Sequence, residues 1–262
     1  MPVNEPLFIL MVIFILSVTF LMVRGIYRLS YISKAEARRV HSFYSSHSTY
    51  YNKLNKKLQQ RFLQRAFSLT QSLKIVGRGT RVNHSVKYMV VAALVQVTFG
   101  LNSYFLKSFR TIFVYPSSYR HPHTGNMHDG EVHPDGLICL SIPQLVKGFN
   151  NPTDVLNLGL HEMAHAFMHS ILSKKNSNTL VGALNEVLAI SEVEVGKIKE
   201  GQPHIFRSYA GESVSEFFAV AIEHFFENSQ GLQSSLPLLY TKLTVLLNQD
   251  PARNVFYLRK VK

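Results

Sequence analysis

The residues best placed to do chemistry are His161, Glu162 and His165, in the stretch NLGLHEMAHAFMHS over residues 157–170. Residues four apart on a helix share a face. His161 and His165 would then offer two neutral imidazoles to one metal ion, with the Glu162 carboxylate beside it. The pattern H-E-x-x-H suits metal-assisted hydrolysis, in which the Glu takes a proton from the attacking water. A catalytic zinc ion takes three protein ligands and keeps a fourth position open. The chain must therefore supply a third ligand.

Several residues compete for that place. His169 lies four residues beyond His165, but no glycine occupies the intervening turn as the H-E-x-x-H-x-x-G-x-x-H pattern requires. It reads as a helix-surface residue or one just outside the ligand set. Glu186, Glu192 and Glu194 fall on a following helix, and His121, His123, His128 and His133 fall in a polar loop. Glu216 opens the run SEFFAVAIEHFFE. Ser213-x-x-Glu216 is also a capping box, in which the Glu side chain serves only the helix terminus. Local pattern leaves both roles open.

The elements that must hold these residues can be read from periodicity. Leu54, Leu58, Phe62 and Phe67 have helical spacing, and residues 85–100 are apolar on most faces, as a buried helix would be. KIVGRGT reads as a turn, RTIFVYP (110–116) and GLICLS (136–141) as strands, and 117–136 as loop. Residues 151–172 read as one helix, with Leu156, Leu160, Ala164, Phe167 and Ile171 as its buried stripe. Further helices are expected near 180–199, 213–228 and 236–248. The fold class that follows is α+β, mainly helical with a small sheet.

Residues 6–23, PLFILMVIFILSVTFLMV, carry no charge. A helix of that length rises roughly 27 Å, close to the hydrocarbon thickness of a bilayer. The preceding residues include Glu5 and no Lys or Arg, and Arg24 follows instead of a small-residue cleavage site, which argues against a signal peptide. The expectation is one N-terminal transmembrane helix. Arg24, Arg28, Lys34, Arg38 and Arg39 follow the span, so residues 1–5 are expected outside and the remainder in the cytoplasm, at the inner membrane.

The net charge of +12 is concentrated in one block. Residues 24–88 hold fourteen Lys or Arg against Glu36 alone, whereas 89–262 are balanced. A basic juxtamembrane block faces anionic headgroups, and without aromatic interleaving or a reading motif it does not point to nucleic acid. Cys139 is the single cysteine, so no intrachain disulfide or cysteine metal cluster is possible. The organisation expected is a short N-terminus (1–5), a membrane helix (6–23), a basic stalk (24–49) and a domain over 50–262.

Residues 207–223 resemble the C-terminal signature of the Mlc titration factor A family of zinc peptidases, a helix reading E-F-F-A-V-x-x-E with a Tyr seven residues before its first Glu. AALVQVTFGLNSY, FRTIFVYPSSY, HDGEV, LICLS, NPTDVLNLGLHEMAHAF and LYTKLTVLLNQDP are similar to that family's successive segments, over roughly residues 50–252. The Tyr–Glu spacing is also similar to the protease domain of anthrax lethal factor. The resemblance implies a zincin-like metallopeptidase domain with one zinc ion per chain, held by His161, His165 and Glu216. Glu162 would be the general base and Tyr209 the oxyanion donor. Glu223, two turns past Glu216, would support a histidine ligand, and the GLICLS strand would receive an extended substrate at the sheet edge. Substrates would be peptides or proteins, with removal of N-terminal residues among the activities implied. A protein regulator is also implied, because the family includes a protein that sequesters a transcriptional repressor. The alternative function is thus a membrane-tethered binding module. Phe167 and Met168 stand where the family has an Asp, and His133 and Pro134 where it has a Trp.

Overall fold

The sheet that flanks the H-E-x-x-H helix is assembled from segments far apart in the chain. The computed structural model describes residues 10–19, 33–106, 108–121, 125–173 and 178–256. The strands are β1 (Lys74–Gly77), β2 (Thr111–Tyr115), β3 (Tyr119–Arg120), β4 (Met127–His128), β5 (Gly130–Val132), β6 (Leu137–Ser141), β7 (Gln249–Asp250) and β8 (Val255–Phe256). Four of them form one sheet in the order β1-β2-β6-β5. β1, β2 and β6 run parallel, with Ile112 opposite both Ile75 and Ile138. β5 pairs antiparallel with β6, Gly130 against Leu140.

Two sequence expectations change here. KIVGRGT was expected to be a turn, but its first four residues form β1, because Arg110 and β2 offer backbone partners to an otherwise short segment. GLICLS was expected at the sheet edge, but β6 is interior. The edge beside the motif helix is β5, from a stretch expected to be loop. β5 is three residues long, too short for its pattern to stand out from the surrounding Gly, Asp and His.

The helices are α1 (residues 10–19), α2 (Lys34–His47), α3 (Thr49–Lys53), α4 (Lys56–Ser72), α5 (His84–Thr98), α6 (Ile142–Asn150), α7 (Leu158–Leu172), α8 (Asn178–Lys199), α9 (Val214–Glu227), α10 (Ser229–Ser235) and α11 (Pro237–Leu247). α5 is the hub, packed on α4, α6 and α7. Its near-continuous apolar sequence, with Val90, Val91, Val95 and Val97 fully buried, is what a helix covered on all sides requires. α7 in turn packs on α9, and α8 packs on both. α2 belongs to the same core, through buried Val40 and Tyr44, whose hydroxyl donates to the Tyr88 carbonyl at 2.9 Å.

α7 begins at Leu158, not near 151. The Asn157 side chain accepts from the Leu160 N–H at 3.0 Å and so caps the helix. Just before it Val155 has a left-handed φ of 51°, which breaks helical geometry. Leu156, expected in the buried stripe, therefore precedes the helix and is 44% exposed, while Leu160, Ala164, Phe167 and Ile171 are buried as expected.

Of the apolar stretch 6–23, residues 10–19 are described; they are helical and largely exposed. The rest lies outside the described residues. Among the described residues no helix is long and apolar enough to cross a membrane.

Candidate metal centre

α7 and α9 cross so that three ligand-type atoms meet. His161 Nε2 lies 2.9 Å from Glu216 Oε2, His165 Nε2 lies 3.4 Å from the same oxygen, and the two imidazole nitrogens are 3.2 Å apart. Among the described residues this is the His/Cys/Asp/Glu group arranged to hold a metal ion. Four-residue spacing puts both histidines on the face of α7 that meets α9. Both are more than 90% buried, and His161 lines an open cleft.

Of the capping box only the Ser213 half forms, and the Glu216 side chain does not serve the helix terminus. The Glu216 backbone N–H donates to Ser213 Oγ at 3.1 Å, so Ser213 is the N-cap of α9. Its carboxylate turns away from the cap and meets the histidines.

The far side of each imidazole is also engaged. His161 Nδ1 faces Glu223 Oε1 at 2.8 Å, and His165 Nδ1 faces Ser215 Oγ at 2.9 Å. A carboxylate facing Nδ1 holds a proton there, so Nε2 is the nitrogen a metal ion would take. Glu223 is 1% exposed and fully partnered. Arg207 Nη2 donates to its Oε1 at 2.8 Å and the Asn157 N–H to its Oε2 at 2.8 Å. Asn157 therefore caps α7 with its side chain and ties that cap to α9 with its backbone.

Glu162 lies on α7 between the histidines and is 5% exposed. The α-carbon of Gly130, on the edge strand, packs directly against it. A Cβ on Gly130 would stand 2.3 Å from Glu162 Oε1. Tyr209 sits in a single 3-10 turn (Ser208–Gly211), with its ring 5.9 Å from that of His161. These residues, with Met127, Leu156 and Leu158, line a cleft of about 430 Å³ that opens beside β5.

The model of the glucose-regulated metallopeptidase M90 family matches residues 28–246. The chain belongs to this family. It is the family of Mlc titration factor A, so the resemblance read from the sequence holds, and the M90 chain is a metallopeptidase acting on peptide or protein substrates. No curated protein sequence matches it. A solved structure with some likeness is the Pro-Pro endopeptidase PPEP-2 from Paenibacillus alvei. It is 18% identical over 68% of this chain and 100% of that one, with a TM-score of 0.41.

The other candidates for third ligand in the M90 chain have different partners. Glu186 pairs with Lys242, and Glu194 with Lys197 and His204. Glu192 is exposed, and His169 is half-buried beside Phe109. His121 and His133 both pair with Glu131, and His128 lines the cleft. His123 lies outside the described residues. Arg207, Ser215 and Gly130 fall in segments that carry the resemblance, but no role for them was legible in the sequence, because each acts through a contact that only the folded chain creates.

The electrostatics of the centre follow from this crowding. Burial alone would lower the His161 pKa, but hydrogen bonds to Glu216 and Glu223 push it up to about 10. Burial alone would raise Glu216, but hydrogen bonds from His161 and His165 hold it far below the ordinary carboxylate range. Both shifts mark a point where electron-pair donors converge and a cation is favoured. Burial lifts Glu162 to about 8; the His161 charge opposes this, while Glu216, Glu131 and Glu223 add to it. Burial also raises the Tyr209 phenol, and the charge and hydrogen bond of Glu216 keep its proton in place.

Proposed function

We propose that this metallopeptidase is zinc-dependent, with one zinc ion per chain held by His161, His165 and Glu216, Glu162 as general base and Tyr209 as oxyanion donor. The observation that carries this reading is the convergence of three ligand atoms 2.9, 3.2 and 3.4 Å apart. Bonds of about 2.0–2.1 Å in a tetrahedron require ligand atoms about 3.3 Å apart, so the donor set fits zinc in chemistry and in size. Bound there, zinc supplies Lewis acidity toward the scissile carbonyl and the attacking water.

The chain's own residues perform the remaining tasks. Glu162 accepts a proton from the attacking water and delivers it to the departing amine. Its burial raises its basicity, as the first of these transfers demands. Tyr209 keeps its proton near neutral pH and donates a hydrogen bond to the oxyanion of the tetrahedral intermediate. The free edge of β5 pairs with the backbone of an extended peptide, which lays the scissile bond across the cleft. Met127, Leu156 and Leu158 favour apolar side chains there. Removal of N-terminal residues is read as one mode of cleavage. Comparing free and N-acetylated peptides tests it, because an aminopeptidase turns over only the first.

The domain is tethered to the inner membrane by one helix over 6–23, with its catalytic part in the cytoplasm. The basic residues that follow the apolar stretch support this orientation. Reporter fusions at either end of the chain test it, and a reporter active outside when fused at the C-terminus would reverse it.

Glu162→Gln tests the mechanism. Turnover should vanish while zinc stays bound. Undiminished activity would remove Glu162 from the chemistry.

A further inference from the structure

Away from the cleft, two arginines of α4 share one concavity. Arg61 and Arg65 are one turn apart and leave the same face of the helix. With Gln64, Ser68, Asn102 and Tyr104 they line a hollow of about 500 Å³. Arg65 has a structural task. Its guanidinium is buried, donates to the carbonyls of Thr98 and Phe99 at 2.9 Å and to that of Leu101, and stacks 4.6 Å from the Tyr104 ring. It neutralises the carbonyl-rich C-terminal end of α5.

That task does not account for Arg61. Its one hydrogen bond among the described residues is a long contact from Nη2 to the Leu101 carbonyl, at 3.4 Å. Its Nε is buried with no hydrogen-bond partner among the described residues. An orphaned guanidinium donor in a pocket wall is costly. Among the described residues neither arginine has a carboxylate within ion-pair distance. Burial lowers the Arg61 pKa and Tyr104 opposes this, while Tyr104 and Tyr50 both favour the charge of Arg65. Burial, then Arg61, lowers the Arg65 pKa to about 10. The pocket thus holds two mutually repelling cations, one with an unused buried donor, and its rim adds the amides of Gln64 and Asn102 and the hydroxyl of Ser68.

We propose that this concavity binds a phosphate group, with Arg61 as its principal ligand and Gln64, Ser68 and Asn102 completing the hydrogen bonds. A tetrahedral oxyanion matches the planar fork of a guanidinium, and the Arg61 Nη groups hold only the long Leu101 contact among the described residues. The group is either inorganic phosphate or the phosphodiester of an anionic lipid headgroup. Both fit a pocket whose two arginines belong to the basic block over 24–88.

The test uses the full chain in a neutral detergent at fixed ionic strength. Inorganic phosphate and short-chain phosphatidylglycerol are each titrated by calorimetry against wild type, Arg61→Gln, Asn102→Ala and Lys57→Gln. Lys57 is an exposed cation of the same helix outside the pocket, so its variant controls for general charge. Saturable binding is expected, weakened roughly tenfold or more by Arg61→Gln. Asn102→Ala should weaken it less, and Lys57→Gln should leave it unchanged. Should Arg61→Gln fail to fold, Asn102→Ala carries the comparison. Binding of inorganic phosphate assigns the site to the free ion, and binding of phosphatidylglycerol alone assigns it to a headgroup. No saturable binding of either, or equal loss in Arg61→Gln and Lys57→Gln, overturns the proposal.

Discussion

Glu223 Oε1 accepts a hydrogen bond from His161 Nδ1 across 2.8 Å, although the two residues are 62 positions apart. The same carboxylate takes hydrogen bonds from Arg207 and from the Asn157 N–H at the start of α7. One buried side chain therefore orients the imidazole and locks α7 onto α9.

Glu223→Gln should weaken zinc binding by roughly 10- to 100-fold while the chain stays folded, because the ligand loses its charged support but keeps a neutral acceptor. Competition with a chromophoric chelator gives the affinity. Unchanged affinity would mean that Glu223 serves packing alone.

Gly130→Ala should cost activity and spare the metal. The added methyl would collide with Glu162 Oε1 and with Leu158, so the base must move. A displacement approaching 1 Å predicts a fall in kcat on the order of a hundredfold. Zinc content should stay at the wild-type level. Wild-type kcat in a folded variant would show that Glu162 tolerates the shift.

His224 gives the stability a pH dependence separate from the metal. It is 3% exposed, and its Nδ1 has no partner among the described residues. Burial pulls its pKa down to about 4; Glu223 opposes this, and Arg207 and His204 add to it. The unfolded chain takes up this proton near pH 6.5 and the folded chain only near 4. Between those values the unfolded state binds more protons, so the stability contribution is full above 6.5 and is lost as pH falls through 4. Urea unfolding of chelator-treated protein at pH 7.5 and 4.5 should show a smaller acid loss for His224→Met than for wild type. Equal losses would contradict this.

The sequence made the two histidines legible because their partnership is local, four residues on one helix. Glu216 was ambiguous because a cap and a ligand share the pattern Ser-x-x-Glu; only the crossing of α7 and α9 separates the backbone role from the side-chain role. Glu223 was legible as a residue on the same face, two turns on, but Arg207 comes from a loop whose course no periodicity reveals. The long helices were readable from their apolar spacing. The sheet was less so, since β1 and β5 are short and glycine-bounded, and their identity as strands comes from the neighbours they pair with. The exchange of β6 for β5 as the edge strand has the same origin.

The zinc content of the full chain, wild type against Glu216→Gln, tests the central claim most directly, with Ser213→Ala as the control for the cap. Gln keeps the N–H that Ser213 binds and removes the charged ligand. The account predicts about one zinc per chain in wild type and in Ser213→Ala, and loss or far weaker binding in a folded Glu216→Gln. Equal zinc in wild type and Glu216→Gln would place the third ligand elsewhere and contradict the account.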